Sequence, residues 1–247
     1  MDSLLDRVTT QLERLSELRV RFAIRIESLP ADLTLLGLLD ELREAAFSAI
    51  QLCHLLEQQA AFPLARLAFE AAQRIIVLAT EDDYARVGAR AWLYYLRKDM
   101  KIVQFARDAE ASREWYGRRM GELLHIWSLH NPTAEAVFRE ANEQLDAFQK
   151  RGPDNFMGEE LGQVVADRYA KLAIGSGRSP AELKELNRGI YAGLSRESHA
   201  RIRLEPEKLQ VSPDGIITVV PQNVDKSARA KLVLGCWIPL LRKQTPP

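Results

Sequence analysis

A chain of 247 residues with 47% hydrophobic and 28% charged side chains has the make-up of one large globular domain. Its 34 basic and 34 acidic residues cancel, which removes the strongest general argument for a nucleic-acid-coating or membrane-surface protein. No uninterrupted apolar run approaches the roughly 18 residues that a spanning helix needs.

The first seven residues, from Met1 to Arg7, are charged and amphipathic, unlike a secretory signal. Cys53 and Cys236 stand in apolar helical contexts and read as buried free thiols rather than a disulfide. The expected location is the cytoplasm.

In chain order, Leu4, Val8, Leu12, Leu15, Phe22 and Ile26 recur at three- and four-residue steps, which predicts an amphipathic helix over 3–26. Leu29 and Pro30 break it, with Asp32 expected to cap a second helix reaching about residue 59. Pro63 suits the first turn of a third helix over 62–78. Residues 80–83 cap a fourth, with Tyr84, Trp92, Tyr94 and Tyr95 followed by Arg97, Lys98 and Lys101. Further helices are predicted over 109–129, from Asn131-Pro132 to about 150, and over 159–174. Ser179-Pro-Ala-Glu182 is a capping box with proline at the first helical position. After His199 the period shortens to that of strands at 201–204, 209–212 and 216–220, with Pro213-Asp-Gly215 as a tight turn. A last helix is predicted over 225–241. The fold class is mainly α: one domain over 1–247, a bundle of about eight or nine helices, with a small β-hairpin at 200–222 before the C-terminal helix.

The helix over 62–78 is apolar nearly all round, as a buried helix is. Arg66, Glu70, Gln73 and Arg74 nonetheless fall at i, i+4, i+7 and i+8, a polar stripe within it. Buried charges require partners. The best complement is Tyr191, Ser195, Ser198 and His199, with the same spacing on the helix that follows the capping box. Pairing the stripes brings Arg66 and Glu70 towards Ser195 and His199, where a carboxylate raises the histidine pKa and an arginine lowers it. A tyrosine, a histidine and a carboxylate in a low-dielectric cleft have the groups for acid–base chemistry. We therefore take His199, Glu70, Arg66, Ser195 and Tyr191 as candidate catalytic residues, and Arg74, Gln73 and Ser198 as candidate ligand-binding residues. The competing reading is a hydrogen-bonded polar core that sets helix register.

Arg66-x3-Glu70 inside an apolar run, then Leu194-Ser195-x2-Ser198-His199, then short strands, resembles a bacterial domain-of-unknown-function family over roughly residues 35–240. The resemblance implies a mostly helical fold and a shared polar site. Some such proteins look distantly like nucleotide-associated helical domains of defence and toxin systems, which cleave RNA without metal through an Arg-x4-6-His pair. His199 departs from that pattern, since Arg196 is only three residues upstream. Arg119 and His125 fit the spacing, with Arg118 as a second option, although Met120 replaces the usual polar residue.

Glu122 and His125 form an E-x-x-H pair, but a di-metal site needs a second pair and two more glutamates. No metal and no cofactor are expected. His130 reads as a surface residue at a helix end, and His54 as a core or boundary histidine. Aromatics mixed with Arg97, Lys98 and Lys101 allow stacking on a nucleic acid, although core aromatics with a basic edge account for the same pattern. Phosphate-loop, dinucleotide-binding and nucleophile-elbow motifs do not occur. The expected partner is a small ligand or nucleotide. A nucleic acid is disfavoured by the charge balance, no membrane is expected, and a homodimer stays open.

Overall fold

The computed structural model describes residues 2–55, 58–106, 108–152, 155–159, 161–172, 179–198, 209–211 and 217–219. These are mainly helical. In order they form α1 (Asp2–Arg21), a 3-10 turn (Ile26–Ser28), α2 (Leu29–His54), α3 (Gln58–Ala79), α4 (Tyr84–Ala106), α5 (Ala109–Ser128), α6 (Ala134–Arg151), α7 (Leu161–Leu172) and α8 (Pro180–Ser198). Strands β1 (Leu209–Val211) and β2 (Ile217–Val219) pair antiparallel, with Leu209 opposite Val219. The predicted strand at 201–204, the turn at 213–215 and the helix over 225–241 lie outside the described residues. Among the described residues no helix is long and apolar enough to cross a membrane.

Local side-chain chemistry marks the starts of α4, α5 and α8. Ser179 and Glu182 make the reciprocal capping box: the Ser179 N–H donates to Glu182 Oε2 at 2.7 Å and the Glu182 N–H to Ser179 Oγ at 3.3 Å. Asp83 accepts from the Arg86 N–H ahead of α4, and Asp108 caps α5 by accepting from the Ala111 N–H at 2.8 Å. Two boundaries differ from expectation. The first helix stops at Arg21, and α2 begins at Leu29 with Pro30 inside its first turn, where the missing proline N–H has no helical partner to lose. Asp32 is therefore not the cap but a fully buried acceptor within that turn. It accepts from the Arg25 N–H at 2.8 Å, the Arg25 guanidinium, the Ser28 hydroxyl at 3.2 Å and the Tyr84 hydroxyl at 2.7 Å. Pro63 also differs, since α3 already begins at Gln58 and carries Pro63 in its interior.

The chain forms two compact units, each drawn from distant parts of the sequence. One comprises Met1–Ser16, Leu42–Glu70 and Arg188–Pro247. It buries Val8, Leu12, Ala46, Phe62, Ala65, Phe69 and Leu194. The other comprises Glu17–Glu41 and Ala71–Asn187. Its core centres on Trp127, which packs edge-on to Phe138 with centroids 5.5 Å apart and donates its indole N–H to the Glu27 carbonyl at 3.1 Å. Trp92 meets Phe138, and Tyr94 and Tyr95 meet Phe156. Trp92, Tyr94 and Tyr95 of α4 are thus core residues, whereas Phe105 near its end is exposed, and Lys98 lies over the Tyr94 ring. Gly88 of α4 faces Ala31 of α2 so closely that a Cβ would collide with the alanine backbone.

Between α4 and α6 the second unit carries a polar ladder. Arg86 reaches Glu140, Arg90 reaches Gln144 at 2.7 Å, and Arg97 reaches Asn142 and Asp146. The first two pairs are each 54 positions apart, so the two helices run parallel, with α5 returning between them.

Candidate functional site

The first unit brings three of the predicted site residues together. Arg66 and Glu70 are one turn apart on α3, and Arg66 Nε donates to Glu70 Oε1 at 2.9 Å. Arg66 Nη2 donates to the Tyr191 hydroxyl of α8 at 3.1 Å. The guanidinium carbon stands 5.3 Å from the centroid of the Tyr191 ring. One arginine is thus held by a carboxylate, a phenol oxygen and an aromatic face. Burial pulls the Arg66 pKa down, but the bond to Glu70 and the neighbouring Tyr191 more than offset it, so it stands above its ordinary value. Arg66 is a permanent cation with restricted rotamers.

This cluster is open to solvent. The Arg66 and Glu70 side chains are 24% and 20% exposed, and Tyr191 is 38% exposed. An apolar seal over the cluster would leave no route for a ligand. The observed exposure leaves one.

Gln73 and Arg74 have a different environment, in the second unit. Gln73 is 1% exposed, and its Nε2 donates to Asn187 Oδ1 at 2.8 Å, with Asn187 4% exposed. A buried amide pair of this kind fixes helix register. Gln73 is therefore enclosed by protein, away from bulk solvent. Arg74 faces Glu41 of α2 at 3.9 Å. Sequence reasoning missed Asn187, although it stands four residues before Tyr191 and extends the polar stripe of α8 by one turn.

Ser195 and Ser198 lie on the α8 backbone, but their side chains, with His199 as a whole, lie outside the described residues. No known family model, curated protein or solved structure matches this chain. Function therefore rests on the side-chain chemistry.

Arg119 and His125 share α5 but not a face, because six residues turn an α-helix through about 600°, leaving the two about 120° apart. Arg119 pairs with Glu122 at 3.3 Å on the surface, and His125 is exposed in the last turn. His130 is exposed just after α5. Cys53 is buried and free, and burial pushes its thiol pKa up. The His54 side chain and Cys236 lie outside the described residues. Among the described residues no cluster of three or more His, Cys, Asp or Glu side chains suits a metal ion.

Proposed function

We propose that this protein binds a small anionic ligand of the nucleotide class at Arg66 and Tyr191, inside the cell and within a defence or stress system. The observation that carries this is the part-exposed Arg66 guanidinium, oriented by Glu70 and laid over the exposed Tyr191 ring. A part-exposed guanidinium binds a phosphate, and a base stacks on an exposed phenol ring. In this reading Ser195, Ser198 and His199, at i+4, i+7 and i+8 from Tyr191 in the sequence, are further candidates for contact with the ligand. The resemblance to a bacterial family through Arg66-x3-Glu70 and Leu194-Ser195-x2-Ser198-His199 supports the same polar site. The proposed architecture around it is a bundle of eight or nine helices with a small β-hairpin before a C-terminal helix.

A second reading has its own observation. The Gln73–Asn187 amide pair is a device for helix register and needs no ligand, so a purely structural or interaction module is the alternative. A metal-independent ribonuclease using Arg119 and His125 has less support, since Arg119 is engaged by Glu122 on the surface.

The test is purification of the chain from cells followed by mass spectrometry of co-purifying nucleotides and RNA. The expected result is a nucleotide at near-stoichiometric level that is lost in Arg66→Met and in Tyr191→Ala, both with native-like thermal unfolding. Wild-type protein carrying no nucleotide, and binding none when nucleoside phosphates are added, overturns the reading in favour of the structural one.

A further inference from the structure

The second unit holds a charge network in which one arginine is bonded to a neutral amide. Glu81 pairs with Arg168. Glu140 Oε1 accepts from Arg86 at 3.3 Å and from the Gln144 amide at 3.1 Å. Arg90 lies among them, with its Nη1 donating to Gln144 Oε1 at 2.7 Å and its guanidinium over the Phe148 ring at 5.3 Å. Glu81 and Glu140 both act on Arg90 through space, yet each carboxylate is bonded by another arginine. Arg86 also pairs with Asp83 at 3.1 Å, so three carboxylates accompany the three guanidinium groups, but among the described residues the hydrogen-bonding oxygen on Arg90 is that of a neutral amide. Burial pulls the Arg90 pKa below its ordinary value even with both carboxylates near.

The geometry of that arginine is informative when set beside two others in the same unit. Arg19 uses Nε and Nη2 together to grip Asp40, at 2.7 and 3.2 Å. Arg25 uses the same edge on Asp32, at 3.2 and 3.1 Å. On Arg90 this edge is bonded to no oxygen among the described residues. Its Nε is buried with no acceptor among the described residues, and its Nη2 meets the Met157 thioether sulfur at 4.0 Å. A thioether is a weak acceptor, and an unsatisfied buried donor costs about 1–3 kcal/mol.

We propose that the Nε–Nη2 edge of Arg90 binds the two oxygens of a carboxylate on a small monoanionic ligand, which displaces the Met157 thioether. The planar fork matches a carboxylate bidentately. The Arg90 cation, met by a neutral amide, favours an anion on its other edge, and Glu81 and Glu140 disfavour a doubly charged phosphate by repulsion. Met157 is suited to be displaced because its side chain is unbranched and flexible. Its backbone stays anchored, since Asn155 Oδ1 accepts from the Met157 and Gly158 N–H groups at 2.8 and 2.9 Å. Gly158 holds a φ of +72°, open to glycine at no steric cost.

The experiment titrates sodium acetate into the 247-residue chain at constant ionic strength, with sodium chloride as ionic control and sodium phosphate as the competing oxyanion. Thermal unfolding and calorimetry give the readout. Acetate is expected to stabilise saturably, so that at tenfold above half-saturation the folding equilibrium constant rises about tenfold. Arg90→Lys keeps the charge without the fork and is expected to raise the half-saturating concentration at least tenfold. Met157→Ala clears the edge and is expected to lower it. An acetate response equal to that of chloride, saturation by phosphate alone, or a crystal grown in acetate with only water on the edge overturns the proposal. An unchanged response in Arg90→Lys does the same. If that variant does not fold, Met157→Ala decides, and an unchanged half-saturating concentration there counts against the site.

Discussion

Gln73 and Asn187, 114 positions apart, meet amide to amide at 2.8 Å with both side chains buried. A buried amide that loses its partner keeps its desolvation cost. Asn187→Ala is therefore expected to lower unfolding free energy by about 1–3 kcal/mol, and Gln73→Ala by a similar amount. Replacing both with leucine removes both polar groups and is expected to recover part of the loss. Urea unfolding midpoints of the singles and the double measure this, and single variants within about 0.5 kcal/mol of wild type refute the role of the pair.

Gly88 offers a test of packing against propensity. Alanine is favoured over glycine in a helix by about 1 kcal/mol, so helix propensity alone predicts that Gly88→Ala stabilises α4. The Ala31 backbone of α2 occupies the space the new methyl needs, and forcing helices apart costs about 1–3 kcal/mol or more. We expect net destabilisation of about 1–2 kcal/mol, measured as a lower melting temperature. A stabilised variant refutes the close approach of α2 and α4.

Asp32 sets a pH dependence. Burial pushes its pKa up, but the bonds from Arg25 and Tyr84 outweigh this, so it stands below the usual carboxylate range. A carboxyl whose folded pKa is depressed stabilises the fold above its unfolded value of about 3.9. That contribution is lost as the pH falls through the folded value. Tyr84, pushed up by burial and then by Asp32, stays protonated and donates throughout. Asp32→Asn is expected to cost about 2 kcal/mol at pH 6, with the gap to wild type closing below about pH 4. Urea midpoints at pH 6 and pH 3 check this, and a gap unchanged between them refutes it.

The mainly helical fold, the Ser179–Glu182 capping box and the polar stripe of α3 were legible in the sequence. Each is set by residues three or four positions apart, and interactions of that range belong to the helix itself. The stripe of Arg66 and Glu70 also announced that partners were required, because a charge in an apolar helix is costly alone. Which partners it finds is another matter. Arg66 meets Tyr191, while Gln73 meets an asparagine that spacing alone did not single out. Arg90 reads in the sequence as one more arginine of a helix, and only the placement of Gln144, Phe148 and Met157 around it exposes its unused edge. Asp32 was legible as a residue of a helix start, but its burial depends on Tyr84, 52 positions later. The sequence by itself determined where helices form and which faces are polar, through short-range geometry. The tertiary structure decided which polar groups satisfy one another, because that depends on helix packing between residues far apart in the chain.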